Sequence, residues 1–221
     1  MNGIWILLLI TLSSALPAIL VFFWFKSKKY AVTLPWFIGS LAAGIVSFLL
    51  AALIHDLFIP NNKGALWPVL FTIFIRIALV EETSRLVTLF PFLKAGKSPL
   101  HNQSCFGAAL GFAAGLGFAV IESAYHGITN LDITILRLFT AAPLHGACGI
   151  RAGTAVFIAR QHPLKSLFLF VSTILIHGTY NLIIVSPVYP SALAIIVAFA
   201  ALVSSLKHLG APAQTGIDGF P

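Results

Sequence analysis

A chain of 221 residues with 59% hydrophobic and 9% charged side chains has far more apolar sequence than a soluble domain of this size buries. Its net charge of +7 does not mark a nucleic-acid binder, because the basic residues sit at the ends of apolar segments and not along one face. What remains is an all-α, polytopic membrane helix bundle with lipid as its surrounding medium.

A hydrocarbon core of about 30 Å takes roughly 20 helical residues to cross. Hydropathy and loop signals predict about seven spans, near residues 4–25, 35–59, 67–93, 104–126, 134–159, 165–186 and 188–206. They form one transmembrane domain over residues 1–206, and the Gly- and Pro-containing tail at 207–221 is expected to be flexible. Lys26, Lys28, Lys29, Lys94, Lys97, Arg160, Lys165 and Lys207 fall at alternate span ends, whereas the opposite side has Lys63 and Arg137. The positive-inside rule then puts the N-terminus outside and the C-terminus in the cytoplasm.

The first span has no basic region ahead of it and runs on to Phe25 before its lysines, which reads as a retained anchor with Pro17 as a kink point. The second ends in His55 and Asp56, which are assigned to the membrane interface, and a short turn at 60–64 leads to Trp67, an interfacial aromatic.

The third segment is the unusual one. Only six acidic residues exist in the chain, and Glu81 and Glu82 stand side by side in an apolar run, with Arg85 close behind. A charge at such depth costs roughly 2.5 kcal/mol or more on insertion scales, so these side chains are expected to face the bundle interior or a wet cavity. At helical spacing Arg85 reaches either carboxylate. Adjacent carboxylates also resist ionising together, so an acid and a base can coexist here. The competing structural reading is an ion pair that only pins helix packing.

The fourth span carries Gly107, Gly111 and Gly115 at four-residue steps, a stripe that lets helices approach closely in lipid. Glu122 lies nearly on that face, four residues after Phe118, and is expected to point at another helix. In the fifth, His145, Gly149 and Gly153 share a face, Pro143 precedes them, and Arg151 either neutralises a carboxylate or snorkels to the membrane edge. The sixth has Thr173, His177 and Asn181 in a polar line, and the seventh is apolar and featureless. Cys105 and Cys148 do not read as a disulfide.

Depth along each helix, at 1.5 Å per residue, puts Glu81 about 20 Å from either end of its segment, His145 roughly 17 Å from the outer start of its span and His177 roughly 14 Å from the outer end of its own. These agree, while Glu122 comes out further outward unless its helix continues past Gly127. Such a layer suits activation of water by a glutamate, with imidazole or amide donors stabilising an oxyanion. The same groups are ordinary zinc ligands, so metal and metal-free mechanisms both remain open. No His-Glu-x-x-His motif is present, and the metal-free mechanism is preferred.

The combination resembles a known family. Glu81-Glu82-Thr83-Ser84-Arg85 is similar to the Glu-Glu-x-x-Lys/Arg motif of PrsW-type intramembrane proteases, and Phe118-Ala119-Val120-Ile121-Glu122 to their Phe-x-x-x-Glu motif. His145, and His177 followed by Asn181, resemble the remaining signature, shared in broad form with type II CAAX prenyl endopeptidases. Arg85 stands where Lys is more typical, and Ser123 where Asn is common. The resemblance implies a multi-pass protein of the bacterial cytoplasmic membrane that cleaves a single-span membrane protein, such as an anti-sigma factor in stress signalling. It also implies Glu81 or Glu82 as general base, Arg85 setting its ionisation, His145 and His177 orienting water, Asn181 as oxyanion donor and Glu122 in support. No cofactor is assigned, and a divalent metal such as zinc stays open. A proton- or ion-coupled carrier and a non-catalytic scaffold are the alternatives; a carrier would be expected to show paired repeats and broken helices.

Overall fold

In a lipid environment every backbone polar group has to be satisfied within its own segment, and long apolar runs do this as helices. The computed structural model describes residues 3–30, 32–58, 66–92, 103–129, 131–190 and 192–210, and among them there is no strand. The chain forms α1 (Gly3–Ser27), α2 (Leu34–Phe58), α3 (Leu66–Phe71), a π-helical stretch (Thr72–Leu79), α4 (Val80–Leu89), α5 (Gln103–Thr129), α6 (Leu131–Ile158), α7 (Pro163–Val185) and α8 (Ala192–Leu206), closed by a 3-10 turn at Lys207–Leu209. The 60–64 turn, Lys63, Lys94, Lys97, the Trp67 side chain and residues 211–221 lie outside the described residues.

Among the described residues, five stretches are long and apolar enough to cross a membrane: Leu8–Ser27, Leu34–Asp56, Ser104–His126, Pro163–Val185 and Ala192–Leu209. The two other expected spans are also helical but more polar. The 66–89 stretch holds Glu81, Glu82 and Arg85 and is interrupted by the π-helical turns, and α6 holds Arg137, His145 and Arg151. Large apolar side chains such as Phe23, Leu49, Leu164, Phe168 and Val203 are exposed on the outer helix faces, the reverse of a soluble protein and the pattern lipid requires.

The bundle is built on α5 and α6, because their glycine stripes meet. A Cβ added at Gly111 would lie 2.0 Å from the Gly149 carbonyl oxygen, one at Gly149 would lie 2.1 Å from that of Gly111, and one at Gly115 would lie 1.9 Å from that of His145. Backbone therefore rests on backbone, and van der Waals contact supplies the attraction that solvent would supply in water. The same approach fixes the height of His145 against α5. The α1 and α2 helices cover the other side of α5, and α7 and α8 lie along α6, with Ala194, Ala198, Ala201 and Ser205 forming the buried edge of α8.

Arg151 corrects an expectation. Among the described residues it pairs with no carboxylate; its half-buried guanidinium donates to Ser205 Oγ (2.9 Å), Ser172 Oγ (3.0 Å) and Ser204 Oγ (2.9 Å), tying α6 to α7 and α8. The last span is thus less featureless than its hydropathy implies. Both cysteines are free thiols.

Gly111→Val inserts a branched side chain where only a hydrogen fits, and is expected to cost about 1–3 kcal/mol through overpacking, measured as a lower unfolding midpoint of the purified protein in detergent. Gly39→Ala, whose Cβ would meet only the Phe92 ring at 3.4 Å, should leave the midpoint nearly unchanged.

Candidate active site

The acidic pair lies in the first turn of α4, directly after the π-helical stretch. A π turn closes each hydrogen bond one residue later than an α turn and so rotates the helix beyond it, and such turns recur at functional sites. Phe74, from this stretch, fits over Gly178 of α7: a Cβ at Gly178 would meet its ring at 2.3 Å. The neighbouring residue, His177, is thereby brought against α4.

Glu82 is fully buried, and each of its carboxylate oxygens has a partner. Its Oε1 accepts from His177 Nδ1 at 2.8 Å, and its Oε2 is paired with Arg85. Arg85, also fully buried, donates its other terminal nitrogen to His145 Nδ1 at 3.1 Å and lies 4.7 Å above the Phe118 ring. An imidazole nitrogen that accepts from a guanidinium has no proton, so the proton of neutral His145 sits on Nε2, which donates to Glu122 Oε2 at 2.6 Å. Glu122 in turn is ion-paired with Arg137. The result is one continuous chain of contacts, His177–Glu82–Arg85–His145–Glu122–Arg137, that links α4, α5, α6 and α7 through the bundle interior. Glu122 joins this layer because α5 continues to Thr129, past the point where a shorter helix would have left it outward.

Glu81 stands apart from the chain. Arg85 does not bond it, and its Oε2 lies 3.4 Å from His177 Nε2, with both atoms buried and without a hydrogen-bond partner among the described residues. With Nδ1–H of His177 directed at Glu82, the Nε2 lone pair is left facing Glu81. Glu81 also lines a cavity of about 300 Å³, together with Glu122, Asn181, Arg137 and the apolar side chains of Phe48, Ile73 and Ile77. The rim carries His55, Asp56, Tyr125 and His126. His55 is more than the interfacial residue expected: its Nε2 bonds the Arg76 carbonyl at 2.8 Å and ties α2 to the π-helical stretch.

The seven residues expected at the site, Glu81, Glu82, Arg85, Glu122, His145, His177 and Asn181, are all buried around this layer, Asn181 on the cavity wall one turn from His177. Arg137 is the residue that sequence reasoning misses, because its position reads as a topology marker. A signal for it is present, since it lies eight residues before His145 on nearly the same helix face and on a side of the membrane otherwise poor in basic residues. Its guanidinium lies 5.9 Å from the Tyr180 ring, and the Tyr180 hydroxyl is hydrogen-bonded to Thr140.

Donor atoms of Glu82, His145 and His177 all lie within 4.8 Å of one another. Two imidazoles and a carboxylate are a set in which catalytic zinc is held, and the unpartnered His177 Nε2 has a lone pair to give, so the residues fit a metal. Arg85 contacts two of the three residues, and its bonds would compete with metal ligation.

A bundle of apolar helices that buries paired carboxylates and imidazoles beside a cavity has the groups that hydrolysis within a membrane needs. The chain belongs to the PrsW family: the family model described as PrsW family intramembrane metalloprotease matches residues 31–206. No curated protein and no solved structure matches it. It is an integral membrane protein and an intramembrane protease, a peptide hydrolase.

Arg137→Met strands a buried Glu122 charge and is expected to destabilise the protein by about 3–5 kcal/mol, whereas the double change Arg137→Met/Glu122→Gln should recover much of that loss. Denaturant unfolding of the four proteins of this cycle in detergent checks it. Equal midpoints for wild type and Arg137→Met would refute the pairing.

Proposed function

We propose that the protein hydrolyses a peptide bond in a membrane-anchored, single-span protein, using a water activated by Glu81. The observation that carries this is the unpartnered pair of Glu81 Oε2 and His177 Nε2, 3.4 Å apart beside the cavity, while both carboxylate oxygens of Glu82 are engaged. A general base needs a lone pair within reach of the proton it abstracts, and of the two glutamates it is Glu81 that lines the cavity, with an oxygen that bonds nothing among the described residues.

A water in the cavity, in reach of both Glu81 Oε2 and His177 Nε2, gives a proton to Glu81 Oε2 as its oxygen attacks the carbonyl carbon of the substrate. The carbonyl π electrons move to oxygen, and the Asn181 amide, from the cavity wall, is the donor to the oxyanion in this scheme. The proton on Glu81 then passes to the amine as the carbon–nitrogen bond breaks. Glu82 holds His177 in the tautomer with Nε2 free, Arg85 holds Glu82 in place, and the His145–Glu122–Arg137 branch fixes Arg85 from behind. A metal held by Glu82, His145 and His177 would polarise the carbonyl and acidify the water, and the role of Glu81 would be the same with it.

The cavity rim lies at the C-terminal ends of α2, α5 and α7, the side that the basic-residue pattern makes extracytoplasmic. With the expected seven spans, N-terminus outside, this favours substrates cut in the outer half of the membrane. Anti-sigma factors of bacterial stress signalling are the first class to test.

The test is co-expression of the wild type or a variant with a panel of tagged single-span membrane proteins that includes anti-sigma factors, followed by blotting for fragments. Glu81→Gln is expected to lower cleavage about 100-fold or more while inserting normally, and Asn181→Ala by a similar factor. Fragments that persist with Glu81→Gln but vanish with Glu82→Gln would move the base to Glu82, and fragments unaffected by changes at Glu81, Glu82, His145 and His177 would sink the assignment.

A further inference from the structure

A second cavity, of about 520 Å³, lies at the opposite end of the bundle, where the start of α5, the end of α6, the start of α7 and the 3-10 turn come together. Its volume falls in the range of about 300–1,000 Å³ typical of small-molecule sites. Lys165, Lys207, His162, His208, Gln161 and Thr154 line it, with no carboxylate among the described residues of its lining. Arg151, further inward, adds positive charge that is bonded to three serine hydroxyls and to no carboxylate among the described residues. The buried His208 Nε2 has no hydrogen-bond partner among the described residues.

Two further features turn this cluster into a built site. α7 begins here with Pro163 at its first turn, and His162 makes no side-chain capping bond, so the positive end of a 23-residue helix is left uncapped. The wall opposite is pinned, since Tyr30 donates to the Gly210 carbonyl at 3.1 Å and Gly210 (φ +62°) fits against Cys105, where a Cβ would meet Sγ at 2.5 Å. Exposed apolar side chains, including Leu164, Phe168 and Leu206, continue from the cavity onto the outer faces of α7 and α8, a surface suited to acyl chains.

We propose that this cavity binds a phosphate group, that of an anionic phospholipid whose acyl chains lie along α7 and α8. Basic pockets between membrane helices take lipid head groups in this way, each lysine near the surface adding to the attraction. The site is distinct from the candidate active site and holds whatever the identity of the catalytic base.

The full-length protein, purified in detergent, is mixed with phosphatidylglycerol, phosphatidylcholine or inorganic phosphate, and lipid retention is read by native mass spectrometry and phosphate binding by calorimetry. Phosphatidylglycerol is expected to be retained about tenfold or more over phosphatidylcholine, and Lys165→Ala/Lys207→Ala to lose that preference. Lys165→Arg/Lys207→Arg should keep it, as should Lys28→Ala/Lys29→Ala, which removes the same charge outside the cavity. Millimolar inorganic phosphate that displaces phosphatidylglycerol supports a head-group site. Phosphate binding lost in the double alanine variant, without any lipid preference, assigns the same cavity to a free anion and overturns the lipid. Equal retention of the two lipids together with no phosphate binding, or a preference untouched by the double alanine variant, overturns the proposal.

Discussion

Everything at the centre of this protein depends on how Glu82 is held. A carboxylate at this depth, without water, has to find donors for both oxygens, and it finds Arg85 on its own helix and His177 from α7. That requirement brings α7 to α4. Arg85 then has donors left over, and it directs one to His145, whose second nitrogen requires an acceptor and finds Glu122. Each group is placed by the unmet bond of the one before it, so breaking one link leaves a stranded charge in low dielectric.

Glycine makes this geometry reachable. Arg85, His145 and Glu122 come from three helices, and their side chains meet because α5 and α6 touch backbone to backbone at Gly111 and Gly149. Wider spacing would pull Glu122 from His145. The packing stripe and the polar chain thus act as one device, with van der Waals contact setting the separation and hydrogen bonds fixing the rotation.

Much of this is legible in the sequence, for physical reasons. In an apolar chain each charged or imidazole side chain is conspicuous, which is why Glu81, Glu82, Arg85, Glu122, His145 and His177 stand out, and four-residue periodicity shows which faces they occupy. Three things are hidden. The π-helical turns at Thr72–Leu79 leave no signature in a hydropathy pattern, so 67–93 reads as one uninterrupted span. Arg137, close to the end of its span, reads as a stray basic residue in the charge-topology count, which masks its pairing with Glu122. Arg151 is weighed in sequence only against acids and water, although serine hydroxyls on α7 and α8 are within its reach. Nor does spacing separate Glu81 from Glu82, because the difference lies in which oxygens are already bonded, a property of the assembled bundle.

The isolation of Glu81 has one more consequence. The polar chain that holds the helices together does not pass through it, and its Oε2 bonds nothing among the described residues. Under the proposed role, reactivity and cohesion therefore rest on different side chains one residue apart. Neutralising Glu81 with an isosteric amide would leave a folded, intact bundle that still admits its substrate and holds it uncut, so that the protein's own cavity becomes a trap from which the bound partner can be recovered and identified.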